Sequence, residues 1–185
     1  MPPSPPQHRI LFSEPIIAGR IEQLARVIGG DLPSGFAPVV IGLLTGSFVF
    51  VADLVRALAR GGVQPQVDFL GVGHYGEATQ SSGMVTVYKN LRVDVRGRPV
   101  LLVDDIADSG LSLHAARAHV LAQHPLWLRT CVLLNKPARR TAEVATDYVG
   151  FEVPDVWLIG YGLDAGGQGR ALPYIAILES DQSTT

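Results

Sequence analysis

Short apolar runs recur along this chain with helix-length segments between them, and that alternation constrains its fold more than any other feature. Pro38–Leu44 (PVVIGLL) and Pro99–Val103 (PVLLV) are unbroken apolar runs, and Gln66–Val72 and Leu128–Leu134 read as further strands. Between them lie helical patterns. Ser13 caps a stripe of Ile16, Ile17, Ile21, Leu24 and Ile28, with Pro15 tolerated in the first turn and Gly29-Gly30 expected to stop it. Ser47–Arg60 and Leu111–Gln123 read as two more helices. Met84–Tyr88, Tyr148–Phe151 and Val156–Ile159 read as short strands, and Pro173–Leu178 is the last apolar run. Strands alternating with helices imply an α/β fold with a central parallel sheet flanked by helices. Continuous apolar strands agree, because such strands are covered on both faces. In this architecture ligands bind beyond the carboxyl ends of the strands. That rule selects Thr45-Gly46, Asp104–Ser112, Asn135-Lys136 and the segment around Asp164.

The 185 residues suit one domain with a small subdomain or flap. With 47% hydrophobic and 17% charged residues, the chain has material for a packed core. A net charge of -2 gives no general attraction to nucleic acid, so an anionic ligand must be held locally. The single cysteine, Cys131, excludes a disulfide framework or a cysteine-rich zinc site and is expected to be buried. His8, His114, His119 and His124 show no metal-ligand spacing. No apolar run approaches the roughly 18 residues of a membrane span. The proline-rich start, MPPSPPQHR, lacks the apolar core of a signal peptide. Residues 1–12 are expected to be a loose tail before a single domain at 13–180. A cytoplasmic protein with no membrane partner is the expectation.

Two motifs mislead. Gly71-Val-Gly73-His-Tyr-Gly76 fits a dinucleotide fingerprint, with Asp94 near the expected distance, but the helix that must begin at the glycines is replaced by EATQSSG and another strand. His74–Gly83 instead reads as a glycine-rich flap. Val100–Asp105 resembles the magnesium-holding strand of P-loop enzymes. The only comparable glycine turn, Gly42-Leu-Leu-Thr-Gly46-Ser, has no lysine.

The chemistry concentrates in VLLVDDIADSGLSL, Val100–Leu113. A buried strand delivers Asp104 and Asp105 to the sheet edge, Asp108 follows, and Ser109-Gly110-Leu111-Ser112 leads into a helix. Glycine lets backbone approach a ligand, and the helix N-terminus offers unpaired N–H groups and a positive dipole end, which suits phosphate. Carboxylates beside a phosphate need something else to face, such as a sugar diol or magnesium. A phosphorylated ribose presents both a phosphate and a diol.

This segment resembles the phosphoribosyl-pyrophosphate motif of type I phosphoribosyltransferases. GLLTGSFVFVADLVRAL (42–58), VDFLGVGHYGEATQSSGMV (67–85), LLNKPARR (133–140) and DYVGFEVPDVWLIGYGLD (147–164), with Arg170 and LPYIAIL, resemble the hypoxanthine-guanine branch. The resemblance implies a type I phosphoribosyltransferase-like fold with a small hood, from segments within 135–172, and a flexible loop at 73–84. It implies purine salvage from phosphoribosyl pyrophosphate with Mg2+. Asp104 and Asp105 would bind the ribose hydroxyls, directly or through magnesium. Asp108 would be the general acid/base near N7 of the purine. Asp108, Ser109, Gly110, Leu111 and Ser112 would hold the 5′-phosphate. Lys136 would contact the 6-oxo group, Trp157 would stack on the base, and the Leu158 backbone would meet the 2-position. Asp164 would hold a second magnesium beside the purine site. Thr45, Gly46 and Arg170 would reach the pyrophosphate, with a non-proline cis peptide expected in Leu44-Thr45-Gly46. His74 and Tyr75 would sit in the closing loop. A homodimer or homotetramer is implied.

The chain departs from the family at Thr45, where lysine or arginine is usual, at His74, usually serine, and at Asn135, usually aspartate. Ala165–Gly169 is glycine-rich where a more helical stretch is usual, which predicts a less firmly placed Arg170. Two other readings compete. One is a relative using xanthine or another base. The other is a nucleotide-sensing regulator that keeps the fold and binds RNA or a partner. The low positive charge opposes RNA binding, and the intact Asp108 opposes a dead enzyme.

Overall fold

The computed structural model describes residues 8–74 and 85–179. Its central sheet has six strands: β2 (Val39–Leu44), β3 (Gln66–His74), β4 (Val85–Lys89), β5 (Pro99–Ala107), β6 (Trp127–Asn135) and β7 (Tyr148–Glu152), in the order β4-β3-β2-β5-β6-β7. All neighbours run parallel except β4, which returns antiparallel along β3. The expected α/β architecture is therefore present, with one antiparallel edge. Side chains on a strand alternate between faces, and the core divides accordingly. Val40, Leu101, Val103, Cys131 and Leu133 pack with helices α1 (Glu14–Asp31) and α2 (Phe48–Arg60). Val39, Ile41, Leu70, Leu102 and Val132 pack with Leu113, Ala116 and Val120 of α3 (Leu111–Leu121). Each such fully buried aliphatic side chain contributes about 1.5–3 kcal/mol.

A second, antiparallel sheet joins β1 (His8–Phe12), β9 (Ile175–Leu178) and β8 (Leu158–Ile159) in the order β1-β9-β8. Residues 8–12, expected in a loose tail, thus form a strand registered on the C-terminal run, with Arg9 opposite Ile177. Residues 1–7 lie outside the described part. Within 135–172, where hood segments were expected, Tyr148–Glu152 is the edge strand of the main sheet, and only Leu158–Ile159 joins the small one.

Other boundaries moved for physical reasons. Helix α1 runs through Gly29-Gly30 to Asp31, whose carboxylate accepts the Tyr148 hydroxyl proton at 2.9 Å. Tertiary contact there outweighs glycine's cost in a helix. Strand β5 continues four residues past Val103, because Asp104, Ile106 and Ala107 remain registered on Val132, Leu134 and Asn135 of β6. The proposed flexible loop at 73–84 lies outside the described residues from Tyr75 onward. Gly73 and His74 end β3 beside Thr86 and Val85 of β4. Among the described residues no helix is long and apolar enough to cross a membrane.

Candidate active site

The carboxyl ends of β2, β5 and β6 meet at one edge. Asp104 and Asp105 are the last carboxylates on β5, and the Asp105 amide donates to Asp104 Oδ1 at 3.0 Å. Asp104 is only 8% exposed. Burial pushes its pKa well up, and the neighbouring Asp105 charge pushes it further. Burial also raises Asp105, against opposing hydrogen bonds from Asp104 and backbone amides and the positive charge of Arg170. Two crowded, desolvated carboxylates are stabilised by a cation or by hydroxyl donors. Their all-oxygen chemistry suits a hard ion such as magnesium, which takes one or two carboxylates and completes its shell from water and substrate oxygens. Among the described residues no group of three or more His, Cys, Asp or Glu side chains is gathered to hold a metal. A magnesium ion here would take its remaining ligands from outside the chain.

The Leu44–Thr45 peptide bond is cis, and Gly46 follows it against Asp105. A Cβ at Gly46 would stand 2.5 Å from Asp105 Cγ, so only glycine lets the loop and the carboxylate share this space. Opposite, the Gly46 carbonyl packs on Gly162. Gly162 belongs to the tight turn Gly160–Leu163, closed by hydrogen bonds of 3.1 and 3.0 Å, and the buried Tyr161 anchors this turn by donating its hydroxyl to Asp53 of α2.

Beyond β5 the chain forms a cradle. A cavity of about 260 Å³ is lined by Asp104, Asp105, Asp108, Ser109, Gly110 and Ser112 among others. Gly110 has φ +85° and starts α3, where a Cβ would meet the Ala142 carbonyl oxygen at 2.7 Å. The first amides of α3 have no partner within the helix, and its positive dipole end faces this loop. The outer side of the loop is tied down. The Ser109 carbonyl accepts the Thr141 and Ala142 amides at 2.9 and 3.0 Å, and Arg140 donates to the carbonyls of Ala107 and Asp108 at 3.2 Å each.

Lys136 follows β6 directly and is 5% exposed. Its Nζ donates to the Val156 carbonyl at 3.0 Å and stands 3.5 Å from Asp155 and 3.9 Å from Asp108 Oδ2. Asp108 Oδ1 is buried and has no hydrogen-bond partner; Arg139 Nε is 3.8 Å away. Trp157 is 69% exposed, so it is not a core tryptophan, while Leu158 is buried in the small sheet. The Trp157 carbonyl accepts the Leu178 amide at 2.9 Å, which fixes the backbone beneath the exposed ring.

Asp164 and Arg170 face each other at 2.7 Å, and Arg170 also donates to the Gly162 carbonyl at 2.6 Å. The expectation that the glycine-rich 165–169 stretch would leave Arg170 loosely placed is not met. Gly166 and Gly167, at φ +60° and +83°, form a two-residue turn closed by Ala165 and Gln168, and this turn brings Arg170 back onto Asp164.

The structure therefore gathers Thr45-Gly46, Asp104, Asp105, the Asp108–Ser112 loop, Lys136, Asp164 and Arg170 at one edge, with Trp157 and Leu158 following the Val156 carbonyl that Lys136 grips. The His74 side chain and all of Tyr75 lie outside the described part. Arg140 was not singled out as a site residue, and its partner Asn135, joined to it at 2.6 Å, was noted only by its place at the strand end and its departure from the family. Arg139 and Asp155, which complete the charge cluster around Lys136, were not singled out either. The signal for all four was their closeness in sequence to Lys136 and Trp157.

Residues 10–165 match the phosphoribosyl transferase domain. The chain is 43% identical over 171 residues to the hypoxanthine-guanine phosphoribosyltransferase of Aquifex aeolicus, covering 92% of this chain and 94% of that one. It is 40% identical over 167 residues to the hypoxanthine phosphoribosyltransferase of Escherichia coli K12, covering 90% and 92%. A crystal structure of a hypoxanthine-guanine phosphoribosyltransferase from Bacillus anthracis superposes with a TM-score of 0.86 at 38% identity, covering 95% of this chain and all of that one.

Proposed function

The chain belongs to the phosphoribosyl transferase family, in its hypoxanthine-guanine branch, and from that premise we infer how its residues carry out purine salvage. The reaction joins hypoxanthine or guanine to phosphoribosyl pyrophosphate, giving IMP or GMP and pyrophosphate. The observation that carries the assignment of roles is Asp108. Its buried Oδ1 lacks a hydrogen-bond donor, and it stands between the phosphate cradle and Lys136. A buried carboxylate oxygen without a donor is costly unless a ligand supplies one.

In this reading the amides of Asp108–Ser112, including those of Gly110 and Leu111, and the hydroxyls of Ser109 and Ser112 hold the 5′-phosphate. Asp104 and Asp105 take the ribose hydroxyls and one magnesium ion. Asp164 takes a second; both of its oxygens already accept a donor, but a carboxylate keeps further lone pairs for a cation. Magnesium, when bound, supplies positive charge that neutralises the pyrophosphate and eases its departure. The backbone of Thr45-Gly46 and the Arg170 guanidinium hold the pyrophosphate from the protein side. Thr45 brings no charge, so in this reading the cation from the protein is Arg170. Lys136 donates to the 6-oxo group, Trp157 stacks on the purine, and the Leu158 backbone meets the 2-position. Purine N9 bonds to ribose C1 as the bond from C1 to the pyrophosphate oxygen breaks, and the proton leaving the ring passes to Asp108. The 73–84 loop, with His74 and Tyr75, excludes water that would otherwise hydrolyse the activated sugar. We assign the enzyme to the cytoplasm as a homodimer or homotetramer acting on these small molecules.

The test is a base panel. Purified protein, phosphoribosyl pyrophosphate and magnesium are mixed with hypoxanthine, guanine, xanthine, adenine or uracil, and nucleotide formation is measured. Product with hypoxanthine or guanine is expected. Product with neither, or with xanthine alone, overturns the reading.

A further inference from the structure

We propose that Arg140 is the positioning residue that aims the phosphate loop's amides, and that Asn135 holds Arg140 in place; this rests on the reading of that loop as the 5′-phosphate site. Three consecutive carbonyls, from the end of β5 into the loop, are captured by three consecutive residues, the first of them shared with the Lys136 amide at 3.0 Å. Arg140 Nη2 donates to Ala107 O and Nε to Asp108 O, both at 3.2 Å. The Thr141 and Ala142 amides donate to Ser109 O at 2.9 and 3.0 Å. In a planar trans peptide the C=O of one residue and the N–H of the next point in opposite directions. Pinning the carbonyls of Ala107, Asp108 and Ser109 outward therefore turns the N–H groups of Asp108, Ser109 and Gly110 inward. All of these residues line the 260 Å³ cavity. The strap thus does for the loop what preorganisation demands of an anion site: it fixes the dipoles before the ligand arrives.

Arg140 is suited to this by shape. Its planar fork reaches three acceptors at once, the third being Asn135 Oδ1 at 2.6 Å. Its aliphatic part fills the space that a side chain at Gly110 would need, with Cδ 2.9 Å from where a Cβ would lie. Lysine has a single point charge and cannot reproduce the fork. Asn135 is buried at the end of β6, next to Lys136. One arginine therefore ties the strand that presents the purine lysine to the backbone of the phosphate loop and of Asp108.

The test compares Arg140→Lys and Asn135→Leu with the parent enzyme in steady-state assays, with binding of IMP and of inosine measured by calorimetry. Inosine lacks the 5′-phosphate. Arg140→Lys is expected to raise KM for phosphoribosyl pyrophosphate and weaken IMP binding by about tenfold or more, with KM for hypoxanthine and inosine binding nearly unchanged. Asn135→Leu, which keeps the arginine and removes one acceptor, should shift the same two quantities in the same direction by less. It serves alone if Arg140→Lys does not fold. Equal losses for IMP and inosine, or no loss in a folded variant, overturn the proposal while leaving the functional reading intact. A parent enzyme that makes no nucleotide fails the functional reading instead.

Discussion

Gly46→Ala perturbs the crowded junction between the Leu44–Gly46 loop, proposed to hold pyrophosphate, and the carboxylates proposed to take the ribose. An alanine Cβ would lie 2.5 Å from Asp105 Cγ and 2.9 Å from Oδ1. Non-bonded carbon atoms settle at about 3.5–4.0 Å, so the carboxylate or the loop must retreat by about 1 Å. The loop cannot yield the other way, because the Gly46 carbonyl already packs against Gly162, which has φ +102° and no room for a Cβ of its own. Asp105 therefore moves, and with it the site proposed for ribose and magnesium. A misplacement of about 1 Å costs on the order of 100-fold in rate. Overpacking of this kind also costs about 1–3 kcal/mol of stability. The assay is kcat/KM for phosphoribosyl pyrophosphate at saturating hypoxanthine, with thermal unfolding in parallel. The expected result is a folded protein with kcat/KM down about 100-fold and the hypoxanthine KM little changed. A folded Gly46→Ala enzyme with parental kcat/KM would refute the reasoning.

Two further outcomes follow from the structure. Trp157→Ala should change stability by no more than about 0.5 kcal/mol, since the ring is 69% exposed, yet raise the hypoxanthine KM about 5- to 150-fold through lost stacking; a large fall in melting temperature with an unchanged KM would make it a packing residue. Asp68 is nearly buried and accepts the amides of Arg92, Val93 and Phe69 at 2.6, 3.0 and 2.7 Å. Burial alone would raise its pKa, but those amides and Lys89 outweigh burial and hold it below the ordinary value of about 4. Its folded pKa is depressed, so its stabilisation is complete above about pH 4 and fades as pH falls through the folded value. Asp68→Asn should cost about 2 kcal/mol, or roughly 4–8 °C, at neutral pH, and calorimetric melting should show the gap to the parent narrowing below about pH 4. A gap that does not depend on pH would contradict this.

The parallel sheet was legible because its central strands β2, β5 and β6 carry continuous apolar runs, whereas the order of the six strands was not read from the sequence. Strand β5 was read too short because Asp104 and Asp105 interrupt the apolar run, although backbone pairing with β6 ignores side-chain polarity. Strand β1 was hidden by the prolines before it, and its partner β9 is more than 160 residues away in sequence. The proposed site residues come from the family resemblance, and Asp104–Ser112 also from its own chemistry. Arg140 was not legible, because two of its three partners are backbone carbonyls, which leave no trace in residue types. Arg170 was misjudged for a related reason. Two glycines suggested looseness, yet in a tight turn their positive φ values are what bring Arg170 back to Asp164.

The central claim is that Asp108 moves the purine proton at a site whose phosphate grip comes from loop amides and the Ser109 and Ser112 hydroxyls. The most direct measurement is Asp108→Asn, with single-turnover formation of IMP beside calorimetric binding of phosphoribosyl pyrophosphate in magnesium. Asparagine keeps the shape and the loop amides but cannot accept a proton. The predicted result is turnover reduced about 100- to 10,000-fold with phosphoribosyl pyrophosphate affinity near that of the parent. Parallel losses in turnover and affinity would contradict the account and leave Asp108 as a ligand contact only.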